Sequence, residues 1–415
     1  MNQQAQTRPT ISIALLPLLL LAFLVVGAAL PRISQAAKSE LAGSLHTGDA
    51  QPQQIQLESS NYSVMQNGLS VTVTVLRVGD STTEATVDYS TYDDTADQRC
   101  DYIMTAGTLT FAAGETSKSF AVLIIDDAYP EASHSFWVKL SNPVGATMGG
   151  IGTAAVSIIQ QTPPDPTTNP LDGAQFFVRE HYFDFLHRLP DDGGLNYWVS
   201  QLESCGNDQN CLNQRRIDVS NAFFFEGEFQ ETASYLYRVY KSGFGIKPSY
   251  QQFMESRGQV VGESQLEQSK IDFANAFVER ADFLQQYPQA MTSEEFVGAL
   301  NANTASSLTM LEQQALVDGL NSGAEKRGTV LQKIADNQVF AEKEYNTTFV
   351  LTQYFGYMRR DLDQAGFDFW LGQIDGAPSH DLQTQHAIVC SFVTSTEYQQ
   401  RFSPAVSHNN SECLQ

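Results

Sequence analysis

The chain contains the stretch Ser119-Phe120-Ala121-Val122-Leu123-Ile124-Ile125-Asp126-Asp127-Ala128-Tyr129-Pro130-Glu131, in which an apolar run ends in three carboxylates. Short runs of this kind that stop at acids and proline are typical of β-strands. A hard cation such as Ca²⁺ takes roughly six to eight oxygen ligands and offsets the mutual repulsion of clustered acids. The stretch therefore predicts a β-domain with a candidate cation-binding loop where one strand ends.

Other short apolar runs lie on both sides of this stretch, and Gly, Asn, Asp and Pro separate them. The runs are 69–76, 86–89, 108–111, 120–124, 136–140 and 154–159. Several short strands with turn residues between them favour an antiparallel β-sandwich. We therefore predict an all-β sandwich over residues 55–160.

The spacing of these runs, together with the segment 107–116, resembles the Calx-beta domain. This is an Ig-like, seven-stranded sandwich found in sodium–calcium exchangers, integrins and many bacterial surface proteins. The resemblance implies Ca²⁺ as a ligand, bound by Asp101, Asp126, Asp127 and Glu131. Two other acidic ligand positions of the family hold Gln66 and Gln160 here. Affinity for Ca²⁺ depends on the number and charge of the ligands. Two alternatives therefore remain open: weak binding, with a dissociation constant of roughly 10⁻⁴–10⁻³ M, and no binding.

From residue 172 the apolar pattern changes from strand-like to helical. Val178, Tyr182, Phe185 and Leu189 have the spacing of one helix face. The phrase 182–198 recurs without a gap as 354–370. In this alignment Arg188 pairs with Arg360, Gly194 with Gly366 and Trp198 with Trp370. An internal repeat that keeps aromatic residues and turn glycines indicates a packing unit.

A closing phrase that ends in an acid and an aromatic residue occurs at 220–229, 272–283 and 390–398. With the repeat, these phrases resemble the bacterial domain-of-unknown-function family 4214, over about 172–404. The family usually has glycine where His187 and Arg359 stand, and proline where Leu362 stands. The resemblance implies a mainly α-helical region and supplies no catalytic residues.

The chain begins with a candidate export signal. Residues 11–30 are almost entirely apolar, Arg8 precedes them, and Ser34 and Ala36 suit cleavage after Ala36. The alternative is an uncleaved membrane anchor, since the run is long enough to span a bilayer. Both interpretations predict an exported protein whose contact with the membrane, if any, is this segment. We expect a signal at 1–36, a flexible leader at 37–54, a Pro/Thr linker at 161–171 and a tail at 405–415.

The five cysteines suit an oxidising compartment. Cys205 and Cys211 flank a short polar loop and are a candidate disulfide. Cys390 and Cys413 are a weaker second pair, which leaves Cys100 over. The alternative is that some of these cysteines are small buried hydrophobic residues.

Charge and motifs restrict the function. The net charge of −23, from 47 acidic and 24 basic residues, argues against nucleic acid and anionic lipid surfaces as partners. The sequence has no nucleophile elbow, zinc-protease or phosphate-loop motif. His181 and His187 are expected to be surface or cap residues, and Asp191 and Asp192 to cap the helix that carries Trp198.

We therefore predict an exported, non-enzymatic modular protein of the cell surface or envelope, with a role in adhesion, scaffolding or ligand binding. Its expected partner is an extracellular or envelope protein or polysaccharide. The alternative is an enzyme that acts on envelope polysaccharide, with Asp191, Asp192 or Asp363 in its site.

Overall fold

The computed structural model describes residues 52–130, 133–160, 165–260 and 265–414. The predicted export signal, most of the leader and Glu131 lie outside these residues. Residues 50–415 form one compact unit. No helix in the described ranges is both long and apolar enough to cross a membrane.

The first part of this unit is a sandwich of two β-sheets. Its strands are β1 (Gln54–Leu57), β2 (Asn61–Met65), β3 (Ser70–Val78), β4 (Ala85–Asp93), β5 (Ala106–Phe111), β6 (Ser117–Leu123), β7 (His134–Val144), β8 (Thr147–Met148) and β9 (Thr153–Ile159). One sheet has the order β6-β3-β1-β8 and the other β2-β9-β7-β4-β5. The predicted sandwich is thereby confirmed.

The alternating sequence explains the core of the sandwich. In β3, Val71, Val73 and Val75 are buried while the residues between them face outward. The leading strand is divided in two: β1 lies parallel to β8 in one sheet, and β2 lies parallel to β9 in the other. The remaining pairs are antiparallel.

The second part is helical, as predicted. Its helices are α1 (Ala174–His181), α2 (Asp192–Glu203), α3 (Gln209–Phe224), α4 (Gly227–Phe244), α5 (Tyr250–Arg257), α6 (Leu266–Val278), α7 (Ala281–Gln286), α8 (Ser293–Asn303), α9 (Met310–Ser322), α10 (Arg327–Ala335), α11 (Gln338–Lys343), α12 (Tyr345–Gln353), α13 (Gln364–Asp375), α14 (Leu382–Val393) and α15 (Thr396–Gln399). Single π-helical turns, Tyr182–Leu186 and Tyr354–Met358, follow α1 and α12.

The sequence repeat is also a structural repeat. Each copy is a helix that ends in a π-turn, followed by the tryptophan helix and then a helix that ends in the closing phrase. The first copy uses α1 to α3 and the second uses α12 to α14, and α3 packs against α14. The two copies therefore share one core.

The sandwich and the helical region are joined by buried apolar contacts. Ile103, Leu123 and Ile125, at one end of the sandwich, belong to the same buried cluster as the helical residues. The segments next to the helical region also pack onto it. Asn169 is buried and its side-chain amide donates to the carbonyls of Gln399 and Ala405. Part of the predicted linker and part of the predicted tail are thus held in the helical body.

Candidate functional site

The acidic end of the sandwich is the first candidate site. Asp101 and Asp127 are each 5% exposed, and the Ile125 amide donates to the Asp101 carbonyl, so the two loops lie side by side. Asp101 Oδ2 accepts a 2.6 Å hydrogen bond from the Asp97 amide, and its Oδ1 lies 3.7 Å from His134 Nε2. Asp127 Oδ1 accepts from the Tyr129 amide at 2.7 Å.

Asp126 and Glu131 are the other two predicted ligands. Asp126 is half-buried; burial raises its pKa, and the positive charge of Arg179 acts in the opposite direction. Glu131 lies outside the described residues. Within the described ranges no three acidic, histidine or cysteine side chains form a group that could hold a metal. Of the four predicted ligands, the structure thus describes Asp101, Asp126 and Asp127, and the two loops that carry them lie next to each other.

The two glutamines that replace family acids contact each other. Gln160 Nε2 donates to Gln66 Oε1 at 3.0 Å and to the Tyr129 carbonyl at 2.8 Å. Gln66 Nε2 donates to the Asp127 carbonyl at 3.4 Å. An amide can both donate and accept, whereas a carboxylate can only accept. The glutamine pair therefore links β2, β9 and the acidic loop through hydrogen bonds where carboxylates would need a cation.

The acidic loop also contacts the helical region. The Ala128 amide donates to the Phe402 carbonyl at 2.7 Å, and the Tyr129 hydroxyl donates to the Gln400 carbonyl at 2.7 Å. The loop that the sequence presents as a cation site thus forms part of the junction between the two regions.

A buried carboxylate, Asp184, lies in the helical region next to this junction. Its Oδ1 accepts from Arg359 Nη2 at 2.7 Å and from Arg401 Nη1 at 3.0 Å, and its Oδ2 accepts from the Tyr398 hydroxyl at 2.9 Å. Both arginines are almost fully buried. Charge-assisted bonds of this kind are among the stronger hydrogen bonds in proteins.

This cluster, Asp184 with Arg359, Arg401 and Tyr398, reaches the sandwich. Arg401 Nε donates to the Arg99 carbonyl at 2.9 Å, and its Nη1 donates to the Tyr357 carbonyl at 2.8 Å. A single buried acid therefore connects both copies of the repeat and the sandwich. Sequence reasoning missed this cluster, although an acid between Phe183 and Phe185 was a signal for it.

Two titratable neighbours in α1 are also buried. Burial raises the pKa of Glu180 to about 7, with Arg179 opposing the shift. Burial lowers the pKa of His181 to about 4, and its ring nitrogens contact the Phe177 carbonyl at 2.8 Å and Ser220 Oγ at 2.7 Å. The expectation that His181 is a surface or cap residue is therefore wrong. A helix packed on several sides has no polar face for a histidine.

The turn of each repeat copy explains its sequence. His187 and Arg359 have φ of 50° and 51°, in the left-handed region that favours glycine. The family's usual glycine at this position therefore has a backbone reason. Arg359 can stand there because its guanidinium reaches Asp184, and that contact offsets a strain of about 1–2 kcal/mol.

The acids of the alternative enzymatic hypothesis lie at helix starts. Asp191 Oδ1 accepts from the Gly194 amide at 2.8 Å, and Asp363 Oδ1 accepts from the Gly366 amide at 2.7 Å. Asp192 is exposed in the first turn of α2. These contacts are those of helix caps, which satisfy free amides and favour the helix dipole.

The structure contains two disulfides. One joins Cys205 to Cys211 and the other joins Cys390 to Cys413. Cys100 is a free thiol, and burial raises its pKa to about 11. The second disulfide attaches the end of the described chain to α14.

Comparison with known families places this architecture. Residues 49–162 match the Calx-beta domain, and residues 331–402 match a domain of unknown function, DUF4214. The sandwich thus matches the Calx-beta domain, and the end of the helical region matches DUF4214. Both expected families and their order are confirmed, and the DUF4214 match covers the second repeat copy rather than the whole of the expected 172–404.

Two curated relatives each match about a quarter of the chain, and the chain spans about an eighth of their length. The chain is 34% identical over 119 residues to the sodium/calcium exchanger Calx of Drosophila melanogaster, which is 27% of this chain and 12% of that protein. It is 36% identical over 111 residues to human sodium/calcium exchanger 3, covering 26% of this chain and 12% of that protein. A crystal structure of the apo form of the Calx CBD1 domain matches at 32% identity, with a TM-score of 0.26, over 27% of this chain and 99% of that chain.

Proposed function

We propose that this protein is an exported, non-enzymatic scaffold or adhesion protein of the cell surface or envelope. The observation that carries the proposal is the junction, where the acidic loop and Arg99 of the sandwich are held by Arg401 and Phe402 of the helical region. A junction with buried apolar and charged contacts gives a rigid body rather than two modules on a hinge. Rigid bodies with several modules suit the display of a binding surface.

The contacts of the acids and histidines with shifted pKa values support a structural role for these side chains. Strongly shifted acids and histidines are candidates for catalysis when they line a cleft. Here Glu180 is fully buried in α1, and His181 is buried with a hydroxyl and a carbonyl as partners. Asp191 and Asp363 cap helices. These groups therefore contribute to the fold.

We propose that calcium is a weak and dispensable ligand of the sandwich. The Calx-beta match and the proximity of Asp101 to the Asp127 loop support an ion at this end. The Gln66–Gln160 contact holds the loops without one. We expect an affinity at the weak end for extracellular modules, roughly 10⁻³ M.

The proposal on location and partner is tested on the full chain. N-terminal sequencing of the mature protein is expected to begin at Ala37, in an extracytoplasmic fraction. Affinity capture with the intact chain is expected to retain an envelope protein or polysaccharide. A full-length cytosolic product would overturn the proposal, and so would release of sugars from envelope polysaccharide that Asp191→Asn or Asp363→Asn abolishes.

A further inference from the structure

The second copy of the repeat holds an arginine of the sandwich. Arg99 Nε donates to the Met358 carbonyl at 3.2 Å, and Arg99 Nη2 lies 2.9 Å from Glu397 Oε1. Arg360 contacts the same carboxylate, with its Nε 2.6 Å from Glu397 Oε1. The π-turn carbonyl and the acid of the closing phrase thus form a guanidinium site.

The first copy has the same groups in the same arrangement. The sequence alignment pairs Leu186 with Met358, and Glu228 with Glu397. The ring centroids of Trp198 and Phe223 are 5.4 Å apart with a 47° interplanar angle. Those of the equivalent pair in the second copy, Trp370 and Phe392, are 5.4 Å apart at 46°. The equivalent arginines are also placed alike, with Arg188 5.1 Å above the Tyr182 ring and Arg360 5.2 Å above the Tyr354 ring.

In the first copy this space is an open cavity of about 220 Å³, which we call the first-repeat cavity. Its lining includes Tyr182, Leu186, Arg188, Trp198, Glu226 and Glu228. Drug-sized ligands usually occupy about 300–1,000 Å³, so the cavity suits a single side chain. In the second copy Arg99 contacts Met358 and Glu397, the equivalents of the lining residues Leu186 and Glu228.

The charges of the first-repeat cavity favour a cation. Arg188 lies 3.9 Å from the cap Asp191, whereas its equivalent Arg360 contacts both its cap Asp363 and the closing-phrase acid Glu397. In the described part of the chain no ion pair forms at Glu228. Glu226 adds a second carboxylate where the second copy has Ser395. Arg257 lies outside this lining and donates to the Phe185 carbonyl, and its charge interacts with that of Glu228 from beyond ion-pair distance.

We propose that the first-repeat cavity binds an arginine side chain presented by a partner protein. Arginine fits better than lysine because two separate nitrogens reach a carbonyl and a carboxylate at once, as Arg99 does. Arg99 of a second copy is committed to its own Met358 and Glu397, so the occupant comes from another protein. The site deepens the proposed binding function by naming what it recognises.

The test uses the full chain and two small probes of equal charge, N-acetyl-arginine methylamide and N-acetyl-lysine methylamide. The readout is the indole N–H signal of Trp198 in a ¹⁵N-labelled sample, with Trp370 as the internal reference. We expect the arginine probe to shift the Trp198 signal in a saturable way and to leave Trp370 unchanged. Loss of one charged hydrogen-bond partner is expected to weaken binding about tenfold in Glu228→Gln.

Glu231→Gln is the matched control, since Glu231 is an exposed acid on the same helix, α4, outside the cavity lining. It is expected to bind as wild type does. Glu226→Gln, at the exposed rim, is the second variant and is expected to weaken binding about two- to fivefold at constant fold. Circular dichroism checks the fold of each variant.

Three results would overturn the proposal: no saturable shift with the arginine probe, equal binding by folded Glu228→Gln, or equal binding of the lysine probe. Self-association of the wild type that Glu228→Gln abolishes would also overturn it, because the occupant would then be a second copy. None of these results depends on where the protein is located. A failed probe experiment is therefore distinguishable from a failed envelope role.

Discussion

Two groups of acids in this molecule are held in different ways. The acidic string that begins at Asp126 is prominent in the sequence, yet Asp126 lies near Arg179 and Asp127 bonds the backbone of its own loop. Asp184 is a single acid between phenylalanines and contacts two buried arginines. The comparison teaches that an acid contributes most to stability where distant parts of the chain bring cationic side chains to it in the interior.

The largest effect is expected from Asp184→Asn. This change keeps the side-chain shape but leaves Arg359 and Arg401 buried without their counter-charge. Breaking a buried pair in this way costs about 3–5 kcal/mol of unfolding free energy. Chemical denaturation of the full chain measures the loss. Asp191→Asn is the control, because asparagine caps helices about as well as aspartate, and we expect a change within about 0.5 kcal/mol. Equal losses in the two variants would show that Asp184 stabilises the fold no more than the helix cap Asp191 does.

Glu180 predicts a pH effect of the next size. Its pKa is 4.5 ordinarily and about 7 in the folded protein, where burial penalises the carboxylate. Glu180 therefore binds its proton more tightly in the folded state than in the unfolded state. The contribution of Glu180 to stability is complete below pH 4.5 and is lost as the pH rises through 7. The loss is about 3 kcal/mol.

The denaturation midpoint, measured at pH values from roughly 5 to roughly 8, tests this effect. Glu180→Gln is expected to remove the decline. His181 acts with the opposite sign in an overlapping window: its pKa falls from 6.5 to about 4 on folding, so its contribution is lost as the pH falls from 6.5 through 4. The two effects oppose each other between pH 4.5 and 6.5, and the Glu180→Gln comparison separates them. If stability declines with pH in Glu180→Gln as it does in the wild type, other titratable groups cause the decline.

A smaller effect is expected at the contact between the sandwich and the second repeat copy. Arg99→Ala removes the hydrogen bond to the Met358 carbonyl and the ion pair with Glu397. The side chains of Arg99 and Glu397 are 34% and 38% exposed. Allowing for solvent screening, we expect a loss of about 1–2 kcal/mol. Arg188→Ala is the control at a more exposed arginine, which lies 3.9 Å from Asp191, and is expected to cost less than about 0.5 kcal/mol. The reverse order would mean that the Arg99 contacts do not stabilise the junction.

The smallest effect concerns calcium at the acidic end of the sandwich. For a dissociation constant near 1 mM, adding about 1 mM Ca²⁺ raises the free energy of unfolding by about 0.4 kcal/mol. Gln66→Glu with Gln160→Glu restores two carboxylates, and we expect tighter binding and a larger shift, about 1.4 kcal/mol in total for a tenfold gain in affinity. Thermal unfolding in chelator, Ca²⁺ and Mg²⁺ measures both. A wild-type shift as large as that of the double variant would show that the glutamines do not weaken the site.

Local features of the fold could be predicted from the sequence. The strand β6 and its neighbours follow from alternation, and the capping role of Asp191 follows from its place before an aromatic helix, whereas Asp192 lies in the first turn of that helix. The repeat predicted its own helices, because the same phrase builds the same turn twice. These features depend on residues a few positions apart.

The junction could not be predicted in this way. Asp184 contacts Arg359 and Arg401, which are 175 and 217 residues away in the chain. No periodicity connects such positions, and a lone acid among aromatic residues reads as the polar side of a helix. The burial of His181 was missed for the same reason, since its partner Ser220 lies in another helix.

The contact between Arg99 and Glu397 spans 298 residues, and this has a consequence for biosynthesis. A ribosome completes the sandwich long before it adds the residues on which the acidic loop docks. Until then Ile103 and Ile125, which are buried in the finished protein, have no partner surface. Nascent chains with exposed apolar surface are prone to aggregate and are bound by chaperones. Truncations that remove residues after 395 are therefore expected to yield a chaperone-bound product rather than a free sandwich.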